Sequence, residues 1–470
     1  AIYDQLNELG HSTVETENAR GILLKDLGRT DEAIACHLKT LDHSNDASTH
    51  NNLGVLYKMR DDNDKALFHY EAALECNPHF KIAKRNLSIA LNDLGNAKKA
   101  QGELQEAKDF YQRAIGMCPS LAVSFFNLGV LLESNDELDR AVLMYKRAVE
   151  IDPTFIHAWC NLGVIAKNRA ELHEAVTYYK RALEIDPNFE LVQQNIAVAL
   201  TDLGTLMKST NLRMAIQLYQ QALHYNPKYV EAFYNLGVTQ ADQGFFDAAK
   251  LYYELAIQID DSHFRSWNNL GVIYKNVDNF PASRKCYQQA LSKNENFAQP
   301  MNNLGVLYTA QGDVDNARNF LEKAIKHDEY FADAHNNLGV LSRDEGDMNE
   351  AIACYIKSLS LDPRNVNANH NLLLGLNYIN MDNEEIYAKH VEWGIKWQNS
   401  INAVLQTAPA HLQLLLKTVE HRAKTKKSNN NNSSSANNNN DHDTDDDGVH
   451  INQLGDSMSS VASVSTSSSS

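Results

Sequence analysis

Asn268-Asn269-Leu270-Gly271-Val272-Ile273-Tyr274-Lys275-Asn276 and Asn336-Asn337-Leu338-Gly339-Val340-Leu341 are two copies of one pattern. The same Asn-Leu-Gly step stands at Asn52-Leu53-Gly54. Aligning the chain on the glycine gives Gly21, Gly54, Ser88, Gly129, Gly163, Ala197, Gly237, Gly271, Gly305, Gly339 and Leu373. Most steps are 34 residues, while Ser88 to Gly129 is 41 and Ala197 to Gly237 is 40. Such self-similarity outweighs length as a guide to architecture. A chain of 470 residues has room for several globular domains, but a stacked array is one elongated unit without a single central core.

A 34-residue period with this pattern is the tetratricopeptide repeat (TPR), a helix–turn–helix unit. The expected fold is all-α, a right-handed superhelical TPR solenoid with a disordered C-terminal tail. Leu53, Leu128, Leu162, Leu236, Leu270, Leu304 and Leu338 read as packing inside each helix pair, and the following small residue lets the second helix come close. Ala66, Ala107, Ala141, Ala175, Ala215, Ala249, Ala317 and Ala351 match that from the second helix, and the alanine seven residues later faces the next repeat. Pro78, Pro119, Pro153, Pro187, Pro227 and Pro363 stop the second helix, because proline cannot extend the hydrogen-bond ladder. Asp261, Glu295 and Glu329 replace it in three repeats, whose turns are expected to depend on neighbours.

Residues 14–365 read as ten repeats, elongated near 81–121 and 190–229. There the extra residues are placed after Asp93-Leu94-Gly95 and Asp202-Leu203-Gly204, lengthening both helices or the turn between them. Residues 366–427 read as an atypical terminal repeat and capping helices, with Tyr378, Ile386, Tyr387, Trp393 and Trp397 as a dense apolar set. Residues 428–470, rich in Asn, Ser and Asp, cannot bury a core and read as a disordered tail or linker.

The formal net charge of −17 disfavours nucleic acid or an anionic membrane as the main partner. No apolar run is long enough to span a bilayer. Cys36, Cys76, Cys118, Cys160, Cys286 and Cys354 form no CxxC pair; three share one repeat register, as buried packing in a reducing compartment would give. The sequon Asn86-Leu87-Ser88 falls inside a helix. The chain opens on Ala1, which reads as a piece of a longer protein. No G-x-G-x-x-G, P-loop, HExxH or zinc-spaced set is present, no carboxylate pair stands out as an acid–base couple, and no catalytic residue, cofactor site or metal site is expected in this chain.

What packing leaves unexplained is asparagine. Asn52, Asn86, Asn127, Asn161, Asn195, Asn235, Asn269, Asn303, Asn337 and Asn371 occupy one register position through ten repeats. A primary amide offers two donors and an acceptor, so it can pair with both the N–H and the C=O of a peptide. A row of such amides could hold an extended chain by its backbone. It could equally bond to its own neighbours and fix the stacking of first helices. Peptide binding is the favoured reading. A carboxylate clamp would want cations in three adjacent repeats, whereas Lys58, Lys167 and Lys275 lie in separated ones.

Asn195-Ile196-Ala197-Val198-Ala199-Leu200-Thr201-Asp202-Leu203-Gly204-Thr205 looks like an elongated-repeat motif of SPINDLY proteins. The two stretches quoted first, Leu376-Asn377-Tyr378-Ile379 and His390-Val391-Glu392-Trp393-Gly394 also resemble that family, over roughly residues 14–400. SPINDLY and the related O-GlcNAc transferase join a TPR arm to a two-lobed glycosyltransferase domain. The two long repeats favour SPINDLY. The resemblance implies fucosyl transfer from GDP-fucose to Ser/Thr of nuclear and cytosolic proteins, with UDP-GlcNAc the donor in the sister arm; a free-standing TPR adaptor is the third reading. It implies partners that are extended or disordered segments of protein substrates, an own or associated glycosyltransferase domain, and a homodimer through the repeats. It adds weight to the ladder, since the related transferase uses one. After about Asn399 the resemblance stops, so donor pocket and catalytic residues are not expected here.

Overall fold

The computed structural model describes residues 14–378, 388–392 and 394–395. The expectations for residues 428–470 and for most of 379–427 lie outside the described residues. The chain divides into two units, residues 1–235 and 236–470. The first holds α1 (Val14–Asp26), α2 (Thr30–Leu41), α3 (Ala47–Met59), α4 (Asn63–Cys76), α5 (Lys81–Ala100), α6 (Leu104–Met117), α7 (Ala122–Ser134), α8 (Leu138–Ile151), α9 (Ile156–Asn168), α10 (Leu172–Ile185), α11 (Glu190–Met207) and α12 (Leu212–Tyr225). Helix α13 (Val230–Asp242) contains the boundary. The second holds α14 (Phe246–Ile259), α15 (Phe264–Asn276), α16 (Phe280–Lys293), α17 (Ala298–Ala310), α18 (Val314–His327), α19 (Ala332–Asp344), α20 (Met348–Leu361) and α21 (Val366–Leu376). Among the described residues there is no strand.

Odd-numbered helices are the first of each repeat and even-numbered ones the second. Within each unit a second helix packs on its own first helix and on the first helix of the next repeat, as α4 does on α3 and α5. The core is therefore a succession of local clusters. Ala66, Ala107, Ala141 and Ala175 are fully buried, as are Ala73, Ala114, Ala148 and Ala182 one repeat contact further on. Cys36 and Cys286 are buried and Cys354 is half-buried, all as free thiols.

The glycine is required by close approach. A methyl on Gly54 would lie 2.5 Å from Tyr70 Cε1, and one on Gly163 would lie 2.4 Å from Tyr179 Cε1. These rings are buried and fill the space a side chain would need. The same contact corrects the repeat register. In the two long repeats the glycine facing the tyrosine is Gly95, on Tyr111, and Gly204, on Tyr219. Ser88 and Ala197, which the sequence alignment put there, lie about two turns earlier on the same helices. Ser88 is buried, and its Oγ donates to the Ala114 carbonyl at 2.8 Å.

The extra residues thus precede Gly95 and Gly204, and they lengthen only the first helix. Helix α5 has 20 residues and α11 has 18, against 13 in α3, α7, α9, α15, α17 and α19. Their second helices, α6 and α12, keep the ordinary 14. Seven residues make nearly two whole turns, so an insertion of that length preserves which face points inward.

Except after Gly204, where Asn211 has φ −146°, the turn inside each repeat uses a left-handed residue seven positions after the glycine. It is Gly28, Gly102, Gly244, Gly312 or Gly346, but also Asp61, Asp136, Ala170 or Asp278, with φ between 55° and 62° in the last four. Gly102 follows Gly95 by that same spacing, which supports the corrected register.

The turns between repeats do not need proline. Asp260, Asn294 and Asp328 end their helices with φ and ψ like those of Asp152 and Asp186, which precede proline. Each closes its turn with its own side chain: Oδ1 accepts from the N–H two residues on, at 2.9 Å for Asp260 and 3.1 Å for Asn294 and Asp328. The expected reliance on neighbours is replaced by this local hydrogen bond.

Candidate peptide groove

Within each unit the first helices of successive repeats touch one another: α3 with α5, α5 with α7, α9 with α11, and likewise α15 with α17, α17 with α19, α19 with α21. Consecutive second helices do not pack on each other in this way among the described residues. First helices thus form the more closely spaced layer, which we term the inner face. The ladder asparagines ride on it, and all ten are half-buried.

The structure gives most of them a partner that sequence reasoning missed. Asn86 Nδ2 donates to Asn51 Oδ1 at 2.9 Å, and Asn127 Nδ2 to Asn92 Oδ1 at 3.2 Å. In the second unit Asn303 donates to Asn268 at 3.0 Å, Asn337 to Asn302 at 2.9 Å, and Asn371 to Asn336 at 2.9 Å. Each acceptor lies 35 residues back, three residues before a glycine, and is buried. The ladder is therefore double: a buried asparagine accepts, and a half-buried one in the next repeat donates. The signal was the Asn-Asn pair at 51–52, 268–269, 302–303 and 336–337.

The register explains the exceptions. Phe126 occupies the acceptor position before Asn161, and Asn161 Nδ2 turns to the Tyr145 hydroxyl at 3.1 Å. That hydroxyl donates to Glu133 Oε2 at 2.6 Å, and burial followed by this bond pushes the phenol well above its ordinary range. Asn269 Nδ2 likewise meets the Tyr253 hydroxyl at 3.4 Å. Cys160 occupies the acceptor position before Asn195, whose amide makes no side-chain hydrogen bond among the described residues. The Tyr179 hydroxyl, at the place corresponding to Tyr145, is buried without a partner.

The corrected register also places Asp93 and Asp202, not asparagine, two residues before the glycine in the long repeats. Asn86 and Asn195 lie two turns ahead on the same faces. Lys58 Nζ meets Asp93 Oδ2 at 2.6 Å. Burial raises the Asp202 carboxyl, and the Lys167 charge draws it back down. A cavity of about 380 Å³ on this face is lined by Val55, Lys58, Met59, Tyr70, Asn86 and Ile89. Apolar walls, an ammonium and a ladder amide thus border one space beside the rung.

Chemically the inner face can donate and accept hydrogen bonds at regular intervals. Among the described residues the Oδ1 atoms of Asn86, Asn127, Asn161, Asn303 and Asn371 accept no hydrogen bond, and each Nδ2 retains a second N–H. Asn337 and Asn269 accept from the asparagines before them. Among the described residues no group of three or more His, Cys, Asp or Glu is placed to hold a metal, and no helix is long and apolar enough to cross a membrane.

Family profiles described as tetratricopeptide repeat match residues 47–80, 89–118, 122–155, 157–189, 230–263, 264–297, 299–326 and 332–365, and one described as TPR repeat matches 211–244. A protein of Hordeum vulgare named probable UDP-N-acetylglucosamine--peptide N-acetylglucosaminyltransferase SPINDLY is 37% identical over 252 residues, 53% of this chain and 26% of that protein. The protein of the same name from Eustoma exaltatum subsp. russellianum is 39% identical over 260 residues, with the same two shares. The chain thus spans about a quarter of the length of these relatives. A solved structure titled APC/C hetero-tetramer Cut9-Hcn1 aligns with 80% of this chain and 98% of its own, at 15% identity and a TM-score of 0.39. With ten helix pairs among the described residues, eight of them packed through one glycine–tyrosine contact, and similar proteins in two plants, the chain belongs to the tetratricopeptide-repeat family, and its repeats resemble the TPR region of SPINDLY proteins.

Proposed function

We propose that this chain is the substrate-recognition arm of a SPINDLY-like protein glycosyltransferase of the nucleus and cytoplasm. It holds extended segments of acceptor proteins against the inner first-helix faces and presents their Ser/Thr residues to a glycosyltransferase domain, its own or an associated one. The observation that carries this reading is the row of half-buried amides whose carbonyl oxygens the fold leaves unused. A purely structural ladder would close both ends of each amide. The sugar donor follows from the resemblance and not from the groove: GDP-fucose is the proposed donor, and UDP-GlcNAc, the donor in the relatives' printed names, is the alternative.

The test uses Asn195 first, because its amide supports nothing else in the fold. Asn195→Ala should weaken binding of an extended Ser/Ala peptide by a few-fold, and replacing Asn127, Asn161 and Asn195 together by more than about tenfold, at roughly 0.5–1.5 kcal/mol per hydrogen bond. Peptide binding is measured by titration and folding by circular dichroism. A triple variant that stays folded and binds normally would remove the ladder as the peptide site.

A further inference from the structure

Lys58 on α3, Lys167 on α9 and Lys275 on α15 each stand four residues after the glycine of their first helix, a place that Lys25 on α1 and Lys99 on α5 also hold. All three are half-buried in the last turn of their helix, where the helix dipole favours a cation equally in each. What faces them differs. The residue 35 positions on, the offset that also relates ladder partners, is Asp93 for Lys58 and Asp202 for Lys167. Both aspartates belong to the long first helices, whose extra two turns bring a carboxylate to that place. For Lys275 the corresponding residue is Ala310, on a 13-residue helix.

Lys275 makes no ion pair or hydrogen bond through its side chain among the described residues, and burial alone pushes its ammonium below the usual lysine range. A charge taken partly out of water without a partner is costly, and the cost is recovered when an opposite charge arrives. The position is on the groove side: its equivalent Lys58 lines one cavity with ladder Asn86, and the ladder residue in the same relation to Lys275 is Asn303. Asn303 retains a free Oδ1 and a second N–H.

We propose that Lys275 anchors an acidic side chain, aspartate or glutamate, of the extended peptide bound along the inner face of the second unit. The lysine supplies the counter-charge, and the Asn303 amide holds the adjoining peptide group. This rests on the groove reading above and adds a sequence preference to it. For Lys58 and Lys167 the fold itself provides the carboxylate, so among these three the preference belongs to Lys275.

The experiment titrates the wild-type chain with unstructured Ser/Ala peptides in which one Asp is moved through successive positions, against the same peptides with Asn. The best Asp peptide should bind about tenfold tighter than its Asn counterpart at low salt, the scale of a hydrogen bond to a charged group, and the gap should close as salt is raised. Lys275→Met should abolish the gap and leave Asn-peptide binding intact, Lys275→Arg should keep it, and Lys326→Met, at an exposed place on second helix α18, should leave it unchanged. Lys275→Met should fold at least as stably as wild type, since it removes an uncompensated charge. The wild-type comparison needs no variant to be informative. Equal binding of Asp and Asn peptides overturns this inference and leaves the ladder standing, and a preference that survives Lys275→Met also overturns it. Failure of every peptide to bind removes both readings.

Discussion

The two units are built from one repeat, yet their inner faces are wired differently. In the second unit the rungs at Asn303, Asn337 and Asn371 each end on a buried asparagine of the preceding repeat. In the first, two such bonds are followed by a rung diverted to Tyr145, as Asn269 is to Tyr253 in the second, and by Asn195, without a side-chain hydrogen bond among the described residues; two first helices are longer by about two turns. The glycine contact is common to both, so stacking is held constant while the groove varies. Packing leaves the half-buried positions free, and substitutions such as Phe126 and Cys160 at the acceptor place decide whether a rung is closed or open. A closed rung is a structural part; an open one is available to a ligand.

The largest difference is expected under acid. His50 Nε2 faces Asn45 Oδ1 at 2.7 Å, an acceptor, so this nitrogen carries the proton, and His50 Nδ1 accepts from His69 Nδ1 at 3.0 Å. Both rings are buried, and an accepting Nδ1 requires His50 to be neutral. Burial, then the His50 charge, lowers His69 to about 4, and burial followed by the Lys25 charge takes His37 to about 4 as well. Both folded values lie below the ordinary histidine range, so the unfolded chain binds protons first as pH falls. The stability these groups contribute is present above about pH 6.5 and is lost between there and about pH 4, on the order of 2 kcal/mol each. Hydrogen exchange should show α2–α4 losing protection at pH 4.5 well before α16–α18, although His335 is shifted in the same sense in the second unit. Equal loss in both units would break the comparison.

Next in size is the register of the long repeats. Gly95→Ala and Gly204→Ala should each destabilise by about 1–3 kcal/mol, as Gly54→Ala should, because the added methyl meets a buried tyrosine ring. Ser88 and Ala197 do not hold that place. A thermal melt in which Gly95→Ala gains stability, as its better helix propensity alone would give, would return the glycine position to Ser88.

The smallest effect compares a closed with an open rung. Asn303→Ala removes a hydrogen bond and leaves the buried Asn268 oxygen unpaired, costing about 1–3 kcal/mol. Asn195→Ala breaks nothing within the chain and should change stability by less than about 0.5 kcal/mol. Denaturant titrations of the two variants would sharpen the contrast, and equal losses would show that Asn195 is structurally engaged.

Repetition is what made the fold readable. The alanines of the second helix, the glycine–leucine step and the prolines each have a local cause that recurs every 34 residues, and the structure buries those alanines completely. The asparagine positions were readable too, since ten polar residues at one register are not explained by packing. Their use was not, because a hydrogen bond between residues 35 apart depends on how one first helix lies against the next. The long repeats show the same limit. Sequence counted the extra residues, but only the tyrosine ring against Gly95 decided that they precede the glycine and lengthen one helix. The turns at Asp260, Asn294 and Asp328 went the other way: proline was absent, and an aspartate or asparagine side chain already present closed the turn by itself. Sequence by itself determined the periodic core, because each repeat buries the same small and apolar atoms against its neighbours. Tertiary structure decided which amides are spent on stacking and that Lys275 has no carboxylate beside it among the described residues, because those depend on distances between helices that no single repeat encodes.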